Sequence, residues 1–392
     1  MKKENFILPK TLQLCLDDVG WMYGRDERDW GGPARTGFPR YHAVEDYMMI
    51  EELGNALDMK VTCMFVIGEW DRKGILANVP NATSAGKNWK GSKYYSEARA
   101  REMFDYIQKS KHIEFGVHGL MHDIWSEDGK YWGGGEFFLP KDGKRETPAD
   151  QLDLGSDEHL KKHFDAFFEI YNDWGFKVPI IHFASPCGGR DALIEGRMTK
   201  MLASYGIRFW HNHFWVNEKG EKVSTANTLV QNGVICHEKG FVVCPWEGYD
   251  IDPDDLRDIK YEEAGILSAH WPNILRYNPK KNLENLGAWV RYFRRQSERF
   301  GLMLSRGTEF AHFQQLYANM AKVEEKDGAV VIDLTDADAA FPFGERPPIY
   351  ISIKKEAGEI QIIGGDARVY EEKKDFINYE IKRTDSKIIT IK

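Results

Sequence analysis

Apolar residues in this chain fall into two alternating patterns: short unbroken runs, and segments in which they recur every third or fourth position. The first run, LQLCLDDVG from Leu12 to Gly20, ends in two adjacent carboxylates. Read as a strand, it places Leu12, Leu14, Leu16 and Asp18 on one face, and Gln13, Cys15 and Asp17 on the other. Both acids reach one ligand only if the strand breaks at its end, which Val19 and Gly20 permit. Residues 43–59 then carry Tyr47, Ile50, Leu53 and Leu57 at helical spacing, and 61–68 reads as a buried strand. The alternation continues with helices over about 96–110, 157–174, 191–204 and 283–300, and a last one ending near Lys322. Strands are expected at 113–119, 178–186, 207–215, within 234–246, and at 264–271. Strand–helix alternation marks a parallel sheet. With no GxGxxG after the first strand, the expected fold is α/β: a distorted seven- or eight-stranded (β/α) barrel over residues 1–322. From 323 to 392 short strands follow one another without a helical pattern, which predicts a small all-β, antiparallel C-terminal domain.

In a (β/α) barrel the chemistry sits at the C-terminal ends of the strands. Here that rim collects Asp17 and Asp18, His118 and His122, Ser185, His211 and His213, Trp246 and Glu247, and His270. Neighbouring carboxylates repel, and a cation relieves them. The HGLMH spacing brings two imidazoles together in the manner of a zinc or similar divalent site, but without the internal glutamate of HExxH proteases. His211 and His213, flanked by aromatics in FWHNHFW, read as a packed strand end.

Composition narrows the partners. A net charge of −8 argues against nucleic acid and anionic membrane surfaces. The apolar run at Phe6–Ile7 and Leu8 is too short for a secretion signal, and no stretch is long enough to insert in a membrane, so a cytoplasmic location is expected. Five cysteines without a CxxC pair read as reduced, buried thiols. Many of the 12 tryptophans fall in loops after strands (Trp21, Trp30, Trp70, Trp125, Trp132, Trp246, Trp271), where they suit stacking on sugar rings.

Taken together, the DD-x-G after the first strand, H-x3-H after the third, Pro186-x-Gly188 after the fourth and a late histidine in LSAHW resemble the NodB-type polysaccharide deacetylases, carbohydrate esterase family 4, over about residues 10–320. The resemblance implies a metal-dependent hydrolase that removes acetyl groups from an N- or O-acetylated carbohydrate. It implies Asp17 as general base, Asp18, His118 and His122 as metal ligands, and His270 as general acid. Zinc is the leading expectation for the metal, with cobalt, nickel or manganese as alternatives. The chain departs from the family at four places: Cys15-Leu16 precedes the acids, Gly119 stands where Ser or Thr is usual, the third motif lacks the arginine that orients the base, and the fourth motif is not evident, with Trp246 and Glu247 in that part of the chain. Arg190 is a candidate replacement, and Trp246, Glu247 and Trp271 are candidates for contacts to substrate or base. Two rival readings are a metal-independent amide hydrolase of the allantoinase-like branch and a non-catalytic glycan-binding protein.

Overall fold

The computed structural model describes residues 1–140, 152–187, 194–212, 228–242, 248–260, 264–299 and 302–392. Its centre is a parallel sheet built from β1 (Thr11–Val19), β2 (Val61–Val66), β3 (Ile113–Gly119), β4 (His182–Phe183), β5 (Phe209–Asn212), β6 (Val234–Glu238), β7 (Gly240–Phe241) and β8 (Gly265–His270). Neighbours in space run β6-β5-β4-β3-β2-β1-β8-β7, and the sheet curls into a half-barrel. β6 pairs with β5, and after Lys239 alone β7 pairs with β8. The strand Thr228–Gln231 pairs antiparallel with β6 and forms the edge on that side, so one segment of chain links the two sides of the curl, with Lys239 at the seam.

Helices cover the outer face. They are α1 (Val44–Leu57), α2 (Glu97–Ile107), α3 (Asp157–Trp174), α4 (Arg197–Ser204) and α5 (Leu286–Arg299), all close to where apolar spacing predicts them. Leu12, Leu14 and Leu16 of β1 join Tyr47, Ile50, Leu53 and Leu57 of α1 in the main apolar core. Cys15 faces inward with Met64, Ala184, Ile266 and Ala311. The last of these belongs to α6 (Thr308–Met320), which packs against β1, β5, β6 and β8.

Two expected elements differ. The fourth strand is two residues, not nine, because only His182 and Phe183 find partners on both β3 and β5. The segment expected as an open loop after β3 holds antiparallel pairs, Asp123–Trp125 with Tyr131–Gly134 and Phe138–Pro140 with Leu152–Leu154.

Beyond α6 the chain forms antiparallel strands around one short helix, Thr335–Ala340. The N-terminal strand Phe6–Ile7 joins them by pairing with Ile349–Lys354. Their apolar residues share a cluster with Phe209, Ile235, Phe313 and Leu316, so this region is built onto the sheet and α6. Arg383 locks it from within through a two-pronged pair to Asp338 at 2.6 and 2.7 Å.

Candidate active site

Two β-bulges aim the site. Along β1, Leu16 and Val19 sit opposite Cys63 and Phe65, so Asp17 and Asp18 together face a single residue of β2. Asp18 adopts the left-handed conformation, φ 64°. A regular pleat would turn Asp18 out among the leucines; the extra residue swings it back beside Asp17. The break therefore lies at the acid pair itself rather than at the expected exit after it. Gly20 serves that exit in another way: it has φ 114°, and a Cβ there would lie 2.5 Å from the Val66 carbonyl oxygen. On the other side of β2, Val117 and Gly119 of β3 pair with consecutive residues Phe65 and Val66, which leaves His118 as the bulged residue.

These distortions bring Asp18, His118 and His122 together. Asp18 Oδ1 lies 3.6 Å from His118 Nε2 and 3.7 Å from His122 Nε2. His270 Nε2 stands 3.5 Å from the other oxygen, Oδ2. Among the described residues Asp18 Oδ1 is buried with no hydrogen-bond partner. A buried carboxylate oxygen facing two imidazole nitrogens at such distances suits a divalent ion about 2.0–2.2 Å from each atom. The far side of each ring is held. His118 Nδ1 donates to the Ala184 carbonyl at 2.7 Å, which turns the Nε2 lone pair toward Asp18. Burial keeps that ring's pKa below its ordinary value. His122 Nδ1 contacts Asp123 Oδ1 at 3.1 Å, and Asp123 in turn accepts from the Ala34 amide. For His122 burial opposes charge, but Asp18 and Asp123 outweigh it and lift the pKa to about 9. The pocket's fixed charge favours a cation.

The loop carrying His122 is organised by Glu136. Its buried carboxylate accepts from the amides of Leu120 (2.6 Å), Met121 (2.9 Å) and His122 (3.1 Å), and from His163 Nδ1 (2.9 Å). Three successive amides around one anion hold His122 at φ 68°. This also accounts for Gly119. It has φ 126°, and a Cβ there would meet Glu136 Oε2 at 2.5 Å.

Asp17 is held by a lysine. Lys239 Nζ donates to Asp17 Oδ2 at 2.8 Å, with both side chains almost wholly buried. Burial pushes the Asp17 carboxyl up, but Lys239, aided by His118 and His270, reverses this and holds it well below the usual carboxylate range. Neither Lys239 nor Glu136 stood out in the sequence. Arg190, Trp246, Glu247, His213, Gly188 and Cys244 lie outside the described residues.

Comparison with solved structures decides the fold. Agd3, described as a novel carbohydrate deacetylase, superposes with a TM-score of 0.51 at 9% identity, covering 99% of this chain. The chain shares the overall fold of Agd3. This chain spans 66% of the length of Agd3. A protein from Parabacteroides distasonis assigned as a glycoside hydrolase/deacetylase aligns over 90% of this chain and 82% of its own, at 10% identity and a TM-score of 0.41. No family model and no curated protein matches the sequence.

Most of the loop tryptophans are core residues of this fold. Trp21, Trp70, Trp125 and Trp271 are buried, and Trp271, expected beside the substrate, stacks on His42 with ring centroids 4.0 Å apart. Among the described residues Trp30, Tyr41 and Tyr277 are exposed, but Arg25 lies over the Trp30 ring at 4.5 Å and Arg99 over the Tyr41 ring at 4.1 Å. Tyr41 packs on Tyr23, and Tyr277 on Tyr249. Cys15, Cys63 and Cys236 are buried thiols as expected, whereas Cys187 is exposed.

Proposed function

We propose that this chain is a divalent-metal-dependent deacetylase acting on an N- or O-acetylated sugar. The observation that carries this reading is the division of labour between adjacent acids: Asp18 faces His118 and His122, while Asp17 is turned to Lys239. In this reading Asp18, His118 and His122 hold the ion, with zinc the best match to a carboxylate and two imidazoles. When bound, such an ion supplies Lewis acidity, polarising the acetyl carbonyl and making water acidic at neutral pH. Asp17, kept ionised and oriented by Lys239, takes the proton from the attacking water at its carboxylate. His270, on the opposite side of Asp18, donates a proton to the departing sugar nitrogen or oxygen as acetate leaves. The backbone of His270 is fixed for this by its amide, which donates to Asn273 Oδ1 at 2.7 Å. The exposed ring of Tyr277 suits a sugar substrate, since the CH faces of pyranose rings stack on aromatic surfaces.

Acetate release from N-acetylated chito-oligosaccharides and O-acetylated xylo-oligosaccharides, with zinc or cobalt supplied, tests this. The reading expects release by the wild type and its loss in Asp17→Asn and His122→Ala. Metal binding with no release from either substrate would leave a glycan binder, and release unaffected by both substitutions would overturn the site.

A further inference from the structure

One layer beneath this site, a second cluster of ligating side chains fills the interior of the sheet. Cys15 lies two residues before Asp17 on β1, His182 two before Ala184 at the end of β4, and Ser268 two before His270 on β8. Each therefore points inward one pleat below a residue of the site. His182 Nε2 lies 2.6 Å from His211 Nδ1 and 3.2 Å from Nε2 of His312, which α6 contributes. Cys15 Sγ is 4.0 Å from the same His211 nitrogen. All four residues are fully buried.

Hydrogen bonding alone does not satisfy this arrangement. An imidazole nitrogen carries either one hydrogen or one lone pair. His182 Nε2 therefore makes one good bond, either to His211 or to His312, and its approach to the other is left uncompensated. The opposite nitrogens of His182 and His312 have no hydrogen-bond partner among the described residues. The Cys15 thiol and one ring nitrogen each of His182 and His211 lie within 4.8 Å of one another, a donor set for a soft transition ion, while His312 reaches His182 alone among them and holds that ring from below. Donor atoms around tetrahedral zinc stand about 3.3 Å apart or slightly more. The His182–His211 and Cys15–His211 spacings of 2.6 and 4.0 Å bracket that value. Burial lowers the pKa of His182 to about 3 and that of His211 well below the ordinary value, which keeps these rings in the form that ligates, and it raises the Cys15 thiol, with Asp17 adding to the rise, so a bound ion has to draw off that proton.

We propose that Cys15, His182 and His211 form a second site for zinc or a chemically similar ion, which ties β1, β4 and β5 together beneath the upper site. The site is independent of the catalytic reading, because none of its ligands belongs to the upper site. The test is cobalt(II) substitution of full-length, chelator-stripped protein, counting bound metal and recording its absorption. Wild type is expected to take up two equivalents and to show a thiolate-to-cobalt charge-transfer band, which the upper site, lacking a thiol, does not produce. The His118→Ala/His122→Ala protein should retain one equivalent and that band. Cys15→Ser should lose the band, and His182→Gln should lose one equivalent relative to wild type. A folded His118→Ala/His122→Ala protein that binds no cobalt would overturn the proposal, as would a wild type with one equivalent and no thiolate band. If the double variant does not fold, the wild-type stoichiometry and band decide alone.

Discussion

Replacing Glu136 with glutamine changes one buried charge and almost no volume, and its effect should reach the metal through the backbone. The carboxylate holds three consecutive amides, of Leu120, Met121 and His122. Hydrogen bonds to a charged acceptor contribute about 1.5–3 kcal/mol each and neutral ones about 0.5–1.5. Neutralising the acceptor therefore costs roughly 1 kcal/mol per amide, or about 3 kcal/mol for the loop. The new amide group also brings its own N–H groups against a nest of donors. Because His122 holds its left-handed backbone only under this restraint, its ring should lose definition relative to Asp18. Substitution of such outer partners of a ligand typically weakens metal binding about 10–100-fold, or about 1.4–2.8 kcal/mol. Zinc affinity by competition with a chromophoric chelator, and urea unfolding of the chelator-stripped protein, read the two effects separately. Zinc affinity within twofold of wild type, together with an unchanged unfolding midpoint, would refute the argument that Glu136 builds the His122 loop.

Other expectations follow from the same geometry. Gly119→Ala puts a methyl group into the Glu136 carboxylate and should destabilise strongly; in a double-mutant cycle with Glu136→Gln the two losses should fall well short of additive, since both act through one contact. Lys239→Met removes the partner of a buried carboxylate. It should cost about 3–5 kcal/mol of stability and lower kcat about 10²–10⁴-fold while leaving zinc stoichiometry at the upper site unchanged; wild-type kcat in this variant would remove Lys239 from the mechanism. Asp46, buried among Arg40, His42 and Asn282, predicts an acid limb of stability. Burial raises its pKa, but His42 and Arg40 prevail and lower it from 3.8 to about 2. The folded value lies below the unfolded one, so this contribution is complete above about pH 4 and is lost as pH falls toward 2, on the order of 2 kcal/mol. Urea titrations should accordingly show the gap between wild type and Asp46→Asn narrowing from pH 5 to pH 2, and a constant gap would contradict the assignment.

What the sequence reveals here is periodic or adjacent; what it conceals is single and distant. Apolar spacing locates α1, β3 and α3 within a residue or two, because each buries a continuous face. The acid pair and HGLMH are visible because their members are neighbours in the chain. Lys239 is invisible: it sits in the unremarkable run VICHEKGFVV, 222 positions from Asp17, and only the curl of the sheet makes them meet. Glu136 is hidden in the glycine-rich stretch GGGEFF, where an isolated acid reads as solvated. The loop tryptophans mislead for the opposite reason, since the long loops fold back onto the sheet and Trp21, Trp70, Trp125 and Trp271 join the main apolar core. The arginine expected to orient the base drew attention to Arg190, which lies outside the described residues; in the proposed reading Lys239 takes that role, 2.8 Å from Asp17 Oδ2.

The pairing of Phe6–Ile7 with Ile349–Lys354 has a consequence for how the protein comes into being. The strand bearing Asp17 and Asp18 starts four residues after Ile7, and the partner that grips this leading end, Ile349–Lys354, is synthesised long after it. His270 and Lys239, which flank the acids, also emerge well after them. During vectorial synthesis the strand must therefore wait, its acids unpaired and its edge open, until Ile349–Lys354 has left the ribosome. A prematurely terminated chain that stops after α6 would carry every residue assigned to the reaction, yet would leave the root of its first strand unanchored.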